Sequence, residues 1–149
     1  KAELARAHGA DHVILYKTED VAARVLELTG GKKVPVVYDG VGKDTLMASL
    51  DSLRPRGLLV SFGNASGPVD NFNVGVLAAK GSLYITRPTL ATYVADEASL
   101  QANANDLFDM VRTGKVKIEV NQRYRLSEVV NAHRDLAARK TTGSTILVP

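Results

Sequence analysis

VPVVYDGVGKDTLMASLDSLRPRGLLVSF, Val34 to Phe62, reads as strand, glycine loop, helix and strand in one unbroken run. Val34 to Tyr38 is short, apolar and rich in β-branched residues, which marks a buried strand. Asp39-Gly40-Val41-Gly42 makes a loop. Lys43 to Leu53 has helical spacing and stops before Pro55, because the residue preceding a proline is pushed away from helical geometry. Gly57 to Phe62 (GLLVSF) is the next strand, and Gly63 to Gly67 (GNASG) a turn.

The same rhythm extends to both sides. Upstream, Glu19 to Leu28 predicts a helix with Val21, Ala22, Val25 and Leu28 on one face, closed by Gly30-Gly31. Before it, His12 to Tyr16 (HVILY) predicts a strand. Leu4, Ala5 and Ala7 recur near helical spacing up to Gly9, so Lys1 falls inside a helical pattern with no N-cap, and upstream sequence is expected. Downstream, Asn73 to Lys80 predicts a short helix and Ser82 to Arg87 a strand halted by Pro88. Ala95 to Thr113 predicts the longest helix, with Leu100, Ala104, Leu107, Phe108 and Val111 on its apolar face and Gly114 at its end. Val116 to Leu126 alternates like a strand, Ser127 opens a last helix to about Lys140, and Ser144 to Val148 closes the chain as a strand.

Strands alternating with helices predict βαβ units, hence a doubly wound α/β domain with a mostly parallel sheet. The 149 residues fit one domain, and a domain near this size buries about 68–70% of its unfolded surface, enough for a core. Ligands on such sheets bind outside the carboxyl ends of the strands. That rule points to Tyr16, to Tyr38 through Gly42, and to Phe62 through Gly67.

Composition narrows the function. The chain has no cysteine, which excludes disulfides, a cysteine nucleophile and cysteine-ligated zinc, and suits a reducing cytoplasm. Its net charge of +3 comes from 19 basic and 16 acidic residues scattered along the sequence, and only 5% of it is aromatic. A nucleic-acid surface is therefore disfavoured. No apolar run approaches the roughly 20 residues that cross a bilayer, so no membrane partner is expected.

The loops at 39–42 and 63–67 read equally as plain βα turns or as places where backbone N–H groups meet a phosphate. Standard fingerprints fail: no G-x-G-x-x-G occurs, since Gly40-x-Gly42 lacks its third glycine, and no Walker loop or G-x-S-x-G elbow exists. No tyrosine is followed four residues later by lysine. His8 and His12 have the spacing of a metal pair, yet Gly9 breaks the helix between them. His133 reads as structural or surface. No residue reads as a general acid or base.

Longer strings carry more. TGGKKVPVVYDGVGKDT (Thr29–Thr45), RGLLVSFGNASGPV (Arg56–Val69), KGSLYITRP (Lys80–Pro88) and the ending Ala137–Pro149 resemble the NADPH:quinone oxidoreductases, the zinc-free, crystallin-like branch of the medium-chain dehydrogenases. The resemblance runs in order from Lys1 to Pro149. It implies the C-terminal portion of a dinucleotide-binding domain over residues 1–149, a partial Rossmann-like sheet. The first strand, the Ala-Gly-Gly-Val-Gly type loop and the substrate domain would lie upstream of Lys1. Without those strands, a gap with unpaired edges is expected between the HVILY and VPVVY strands.

The resemblance also implies roles. Lys1 would meet the 2′-phosphate of NADPH, a charge-assisted contact of about 1.5–3 kcal/mol, or roughly ten- to a hundredfold preference over NADH. Tyr16 would pack near the adenosine end. Gly40 and Val41 would lie beside the cofactor, Phe62, Gly63, Asn64 and Ala65 along its nicotinamide half, and Arg139 near its phosphates. Ala65 departs from the serine expected of close relatives, so a hydroxyl contact would be lost. The implied activity is transfer of hydride from NADPH to a quinone, by the longer protein rather than by this part alone. Alternatives are an enone or carbonyl reductase of the same superfamily, or a non-catalytic dimerising module. The Ser82–Pro88 strand would pair across a homodimer.

Overall fold

The computed structural model describes residues 1–149. It divides into two compact units, Ala2–Thr92 on one hand and Lys1 with Tyr93–Pro149 on the other. The fold is α/β with parallel strands throughout, distributed over two sheets.

The first unit opens with α1 (Ala2–Ala7), which ends at the positive-φ Gly9 as the pattern predicts. Residues 12–15 belong to no helix or strand, and Tyr16 opens a turn. HVILY is therefore not a strand in this structure. A strand exists through its ladder, and five residues of suitable composition do not hold one without a neighbour. Leu15 is accordingly 54% exposed. Helix α2 (Val21–Leu28) starts two residues later than predicted, because Asp20 caps it by accepting from the Ala23 amide at 3.0 Å.

Next come β1 (Val34–Asp39), α3 (Leu46–Asp51), β2 (Leu53–Ser61), α4 (Gly75–Ala79), β3 (Tyr84–Thr86) and α5 (Leu90–Tyr93). The sheet order is β1-β2-β3, all parallel, with Val37 opposite Leu59, Asp39 opposite Ser61 and Val60 opposite Thr86. Strand β2 begins four residues before the predicted Gly57. Pro55 does not stop it but sits in an irregularity of the register between Val34 and Val36, where Arg56 takes a φ of 59° and its amide bonds to Gly81 at 2.8 Å. A bulge tolerates a residue without an N–H.

Leu46, Leu50, Leu53, Leu59 and Leu83 form the core, with Val34, Val37, Val69, Phe72, Val76 and Leu77 packed on it. Each fully buried leucine contributes about 1.5–3 kcal/mol relative to exposure. This packing fixes the end of β1 against the end of β2.

The second unit holds α6 (Glu97–Arg112), β4 (Val120–Arg125), a 3-10 turn (Leu126–Glu128), α7 (Val129–Ala137) and β5 (Ser144–Val148). Asp96 caps α6 through the Ser99 amide at 2.9 Å, and Gly114 ends it at a φ of 72°. Its predicted apolar face is uncovered, with Leu100, Leu107 and Phe108 all exposed. Strands β4 and β5 pair in parallel, and the Tyr124 hydroxyl donates to Asp135 of α7 at 2.8 Å.

Candidate functional site

The loops after β1 and β2 lie edge to edge at the carboxyl ends of their strands, where open α/β sheets bind ligands. Their meeting is organised by Asp39, the last residue of β1, which is only 4% exposed. One carboxylate oxygen accepts from the amides of Val41 (2.8 Å) and Gly42 (3.0 Å), and the other from the Ser49 hydroxyl (2.7 Å). The Thr45 hydroxyl reaches both oxygens, at 2.9 and 2.8 Å. Thr45 occupies the N-cap position of α3, yet it caps nothing with its side chain because the hydroxyl is committed to Asp39. Burial pushes the Asp39 carboxyl up, but the bonds from Gly42, Ser49, Thr45 and Val41 together outweigh it and hold the group below its ordinary range.

The main chain continues the junction. The Asp39 carbonyl accepts from Phe62 (2.9 Å) and Gly63 (3.3 Å), Gly40 accepts from Ala65 (3.3 Å), and Val41 accepts from Ser66 (2.8 Å). Contact is so close that a Cβ on Gly63 would stand 2.2 Å from the Gly40 carbonyl oxygen. One on Gly42, whose φ is 91°, would stand 2.8 Å from the Gly67 oxygen. Only glycine fits either place. The Phe62 ring lies against Gly40 and is 55% exposed. The amides of Gly40 and Asn64 donate to no acceptor in the chain.

The structure thus brings together six of the residues singled out in the sequence: Gly40, Val41, Phe62, Gly63, Asn64 and Ala65. Tyr16 starts the turn at 16–18, is 41% exposed and takes no part in the bonds just described. Lys1 and Arg139 belong to the other unit. There Lys1 is exposed ahead of α1, and Arg139 follows α7 with a φ of 60° and its amide bonded to Leu136 at 3.0 Å. Sequence reasoning gave no role to Asp39, Thr45, Ser49, Ser66 or Arg87, although the stretches it pointed to contain Asp39 and Ser66. An aspartate between a strand and a glycine pair, followed by hydroxyl residues on the next helix, was the available signal for the first three.

A family model described as zinc-binding dehydrogenase matches residues 8–147. The chain belongs to this family. Within the zinc-binding dehydrogenases it is 61% identical to a quinone oxidoreductase of Pseudomonas aeruginosa, over the whole of this chain and 46% of that protein. It is 45% identical to a 2-haloacrylate reductase of Burkholderia, over the whole of this chain and 45% of that one. Among solved structures, the Escherichia coli quinone oxidoreductase complexed with NADPH superposes with a TM-score of 0.95 at 48% identity, covering 99% of this chain and 46% of that one. The chain spans about half the length of the zinc-binding dehydrogenases it matches. Despite the family's description, these residues contain no cysteine and no group of three His, Asp or Glu side chains that could hold a metal ion.

Proposed function

We propose that this chain is the C-terminal, cofactor-binding portion of an NADPH-dependent quinone oxidoreductase, zinc-independent, cytoplasmic and homodimeric. The observation that carries the reading is its close superposition on a quinone oxidoreductase complexed with NADPH. The loop junction suits a dinucleotide: two amides without acceptors, glycines that keep side chains out of the way, and an exposed aromatic ring at the strand ends. Bound there, the nicotinamide would supply a hydride, and a quinone receiving it with a proton becomes a hydroquinone.

Gly40 and Val41 would border the cofactor, and Phe62, Gly63, Asn64 and Ala65 would run along its nicotinamide half. Tyr16 is assigned to the adenosine end, Lys1 to the 2′-phosphate and Arg139 to the phosphate region, all by resemblance to the family. None of these residues is assigned acid–base work; their part is to bind and orient. Zinc independence is assigned by resemblance to the zinc-free branch of the family, and the cytoplasmic assignment follows the cysteine-free sequence, which suits a reducing compartment. The dimer is assigned to the Ser82–Pro88 segment, whose strand β3 has one neighbour only. A second reading, reduction of an electron-poor conjugated double bond, is favoured by the 45% identity to a 2-haloacrylate reductase.

Calorimetric titration of the intact protein that carries these residues, with NADPH and NADH in parallel, tests the reading. NADPH is expected to bind about ten- to a hundredfold more tightly, the worth of one charge-assisted phosphate contact. Equal affinities would refute the Lys1 assignment, and no binding of either would refute the cofactor reading. Turnover of quinones against conjugated acids then separates the two acceptors.

A further inference from the structure

We propose that Arg87 is a positioning residue for the loop after β2, holding Phe62 in place through the carbonyl groups on either side of it. That this loop serves a nicotinamide rests on the functional reading above; that Arg87 orders it does not. Arg87 follows the last residue of β3, and its Nη1 donates to the Ser61 carbonyl at 2.8 Å and the Gly63 carbonyl at 3.2 Å.

The ladder explains why a side chain is needed there. Pairing of β2 with β3 ends at Val60 opposite Thr86. It cannot be prolonged through Pro88, which has no N–H to give. The carbonyls of Ser61 and Gly63 lie beyond that end, and the guanidinium supplies the donors that the strand cannot. No carboxylate pairs with Arg87, so its charge is spent on these carbonyls, where charged donors form the stronger hydrogen bonds. Phe62 is thereby held from two sides. Its amide donates to Asp39 on β1, and the carbonyls flanking it are tied to the segment after β3. Its ring is left with the place over Gly40. Both bonds leave the single Nη1, whose two N–H groups are fixed in the guanidinium plane; a lysine offers a point charge on a flexible stem with no such plane, so it would not reproduce the clamp.

Amide hydrogen exchange on the intact protein tests this without reference to any cofactor. Arg87→Ala is expected to speed exchange at the bonded loop amides of Phe62, Gly63, Ala65, Ser66 and Gly67 about tenfold, as loss of a charge-assisted bond requires, while Leu58 through Val60 stay protected. Arg87→Lys is expected to leave the loop fast, and millimolar guanidinium added to Arg87→Ala to slow it again, with methylammonium ineffective. Unchanged loop exchange, or a rise spread evenly over β1 and β2, overturns the proposal, as does full protection in Arg87→Lys. NADPH affinity measured on the same proteins is expected to fall with loop protection. A wild type that binds no NADPH yet shows Arg87-dependent protection refutes the cofactor reading alone.

Discussion

Asp39 carries a charge into a place only 4% exposed, and four donors make that tolerable. Two are backbone amides of the glycine loop, and two are hydroxyls from the cap and the first turn of α3. The carboxylate therefore fixes the conformation of Gly40 to Gly42, while the main-chain carbonyl of the same residue fixes the start of the Phe62 loop. Because the folded-state pKa is lowered, the stability it contributes is present above the unfolded value of about 3.9. It is lost as pH falls through the lower folded value. Asp39→Asn is expected to cost about 1–3 kcal/mol at neutral pH, since charge-assisted bonds become neutral ones or go unmade. It is also expected to flatten the acid limb of the stability curve. Urea unfolding at a series of pH values checks both, and a variant with the wild-type acid limb would show that Asp39 is not the group responsible.

At the scale of elements, β2 is the part on which the candidate site depends, since it carries Leu53 and Leu59 into the core and ends at the loop. Leu59 is fully buried, so Leu59→Ala leaves a cavity and is expected to destabilise by about 2–5 kcal/mol. Thermal or denaturant unfolding measures this; a loss below 1 kcal/mol would mean that the core around β2 collapses to fill the space. The same element shows what a sequence can display. Strand β1, helix α3 and strand β5 were legible because their periods and terminators are local. The start of β2 was not, because Pro55 reads as a breaker and the bulge that accommodates it depends on Gly81, far along the chain. HVILY has the composition of a strand and no ladder, for pairing is not a property of five residues. The glycine loops were legible through their glycines, whereas the organising role of Asp39 was hidden because its partners lie two to ten positions away. Arg87 was hidden because its role is created by the point at which β3 stops.

At the scale of the whole molecule, the open question is what β3 pairs with on its outer side. The strand is three residues long, its neighbour on one side is β2, and Tyr84 and Ile85 are 61% and 38% exposed. An uncovered edge bearing aromatic and β-branched residues is a template for another strand, and natural proteins blunt such edges with charge or proline unless they are used. Here the proline stands just beyond the strand, at Pro88, and the strand itself carries no charge. The arrangement suits a second copy of the same strand, which a two-fold axis would bring in antiparallel, each edge meeting its own image. Sedimentation of the intact protein is expected to give twice the monomer mass. Ile85→Lys places a charge on the edge and is expected to yield monomer with an unchanged circular dichroism spectrum. A wild type that sediments as a monomer removes the dimer from the proposed function. A dimer that persists in the Lys variant moves its interface away from β3.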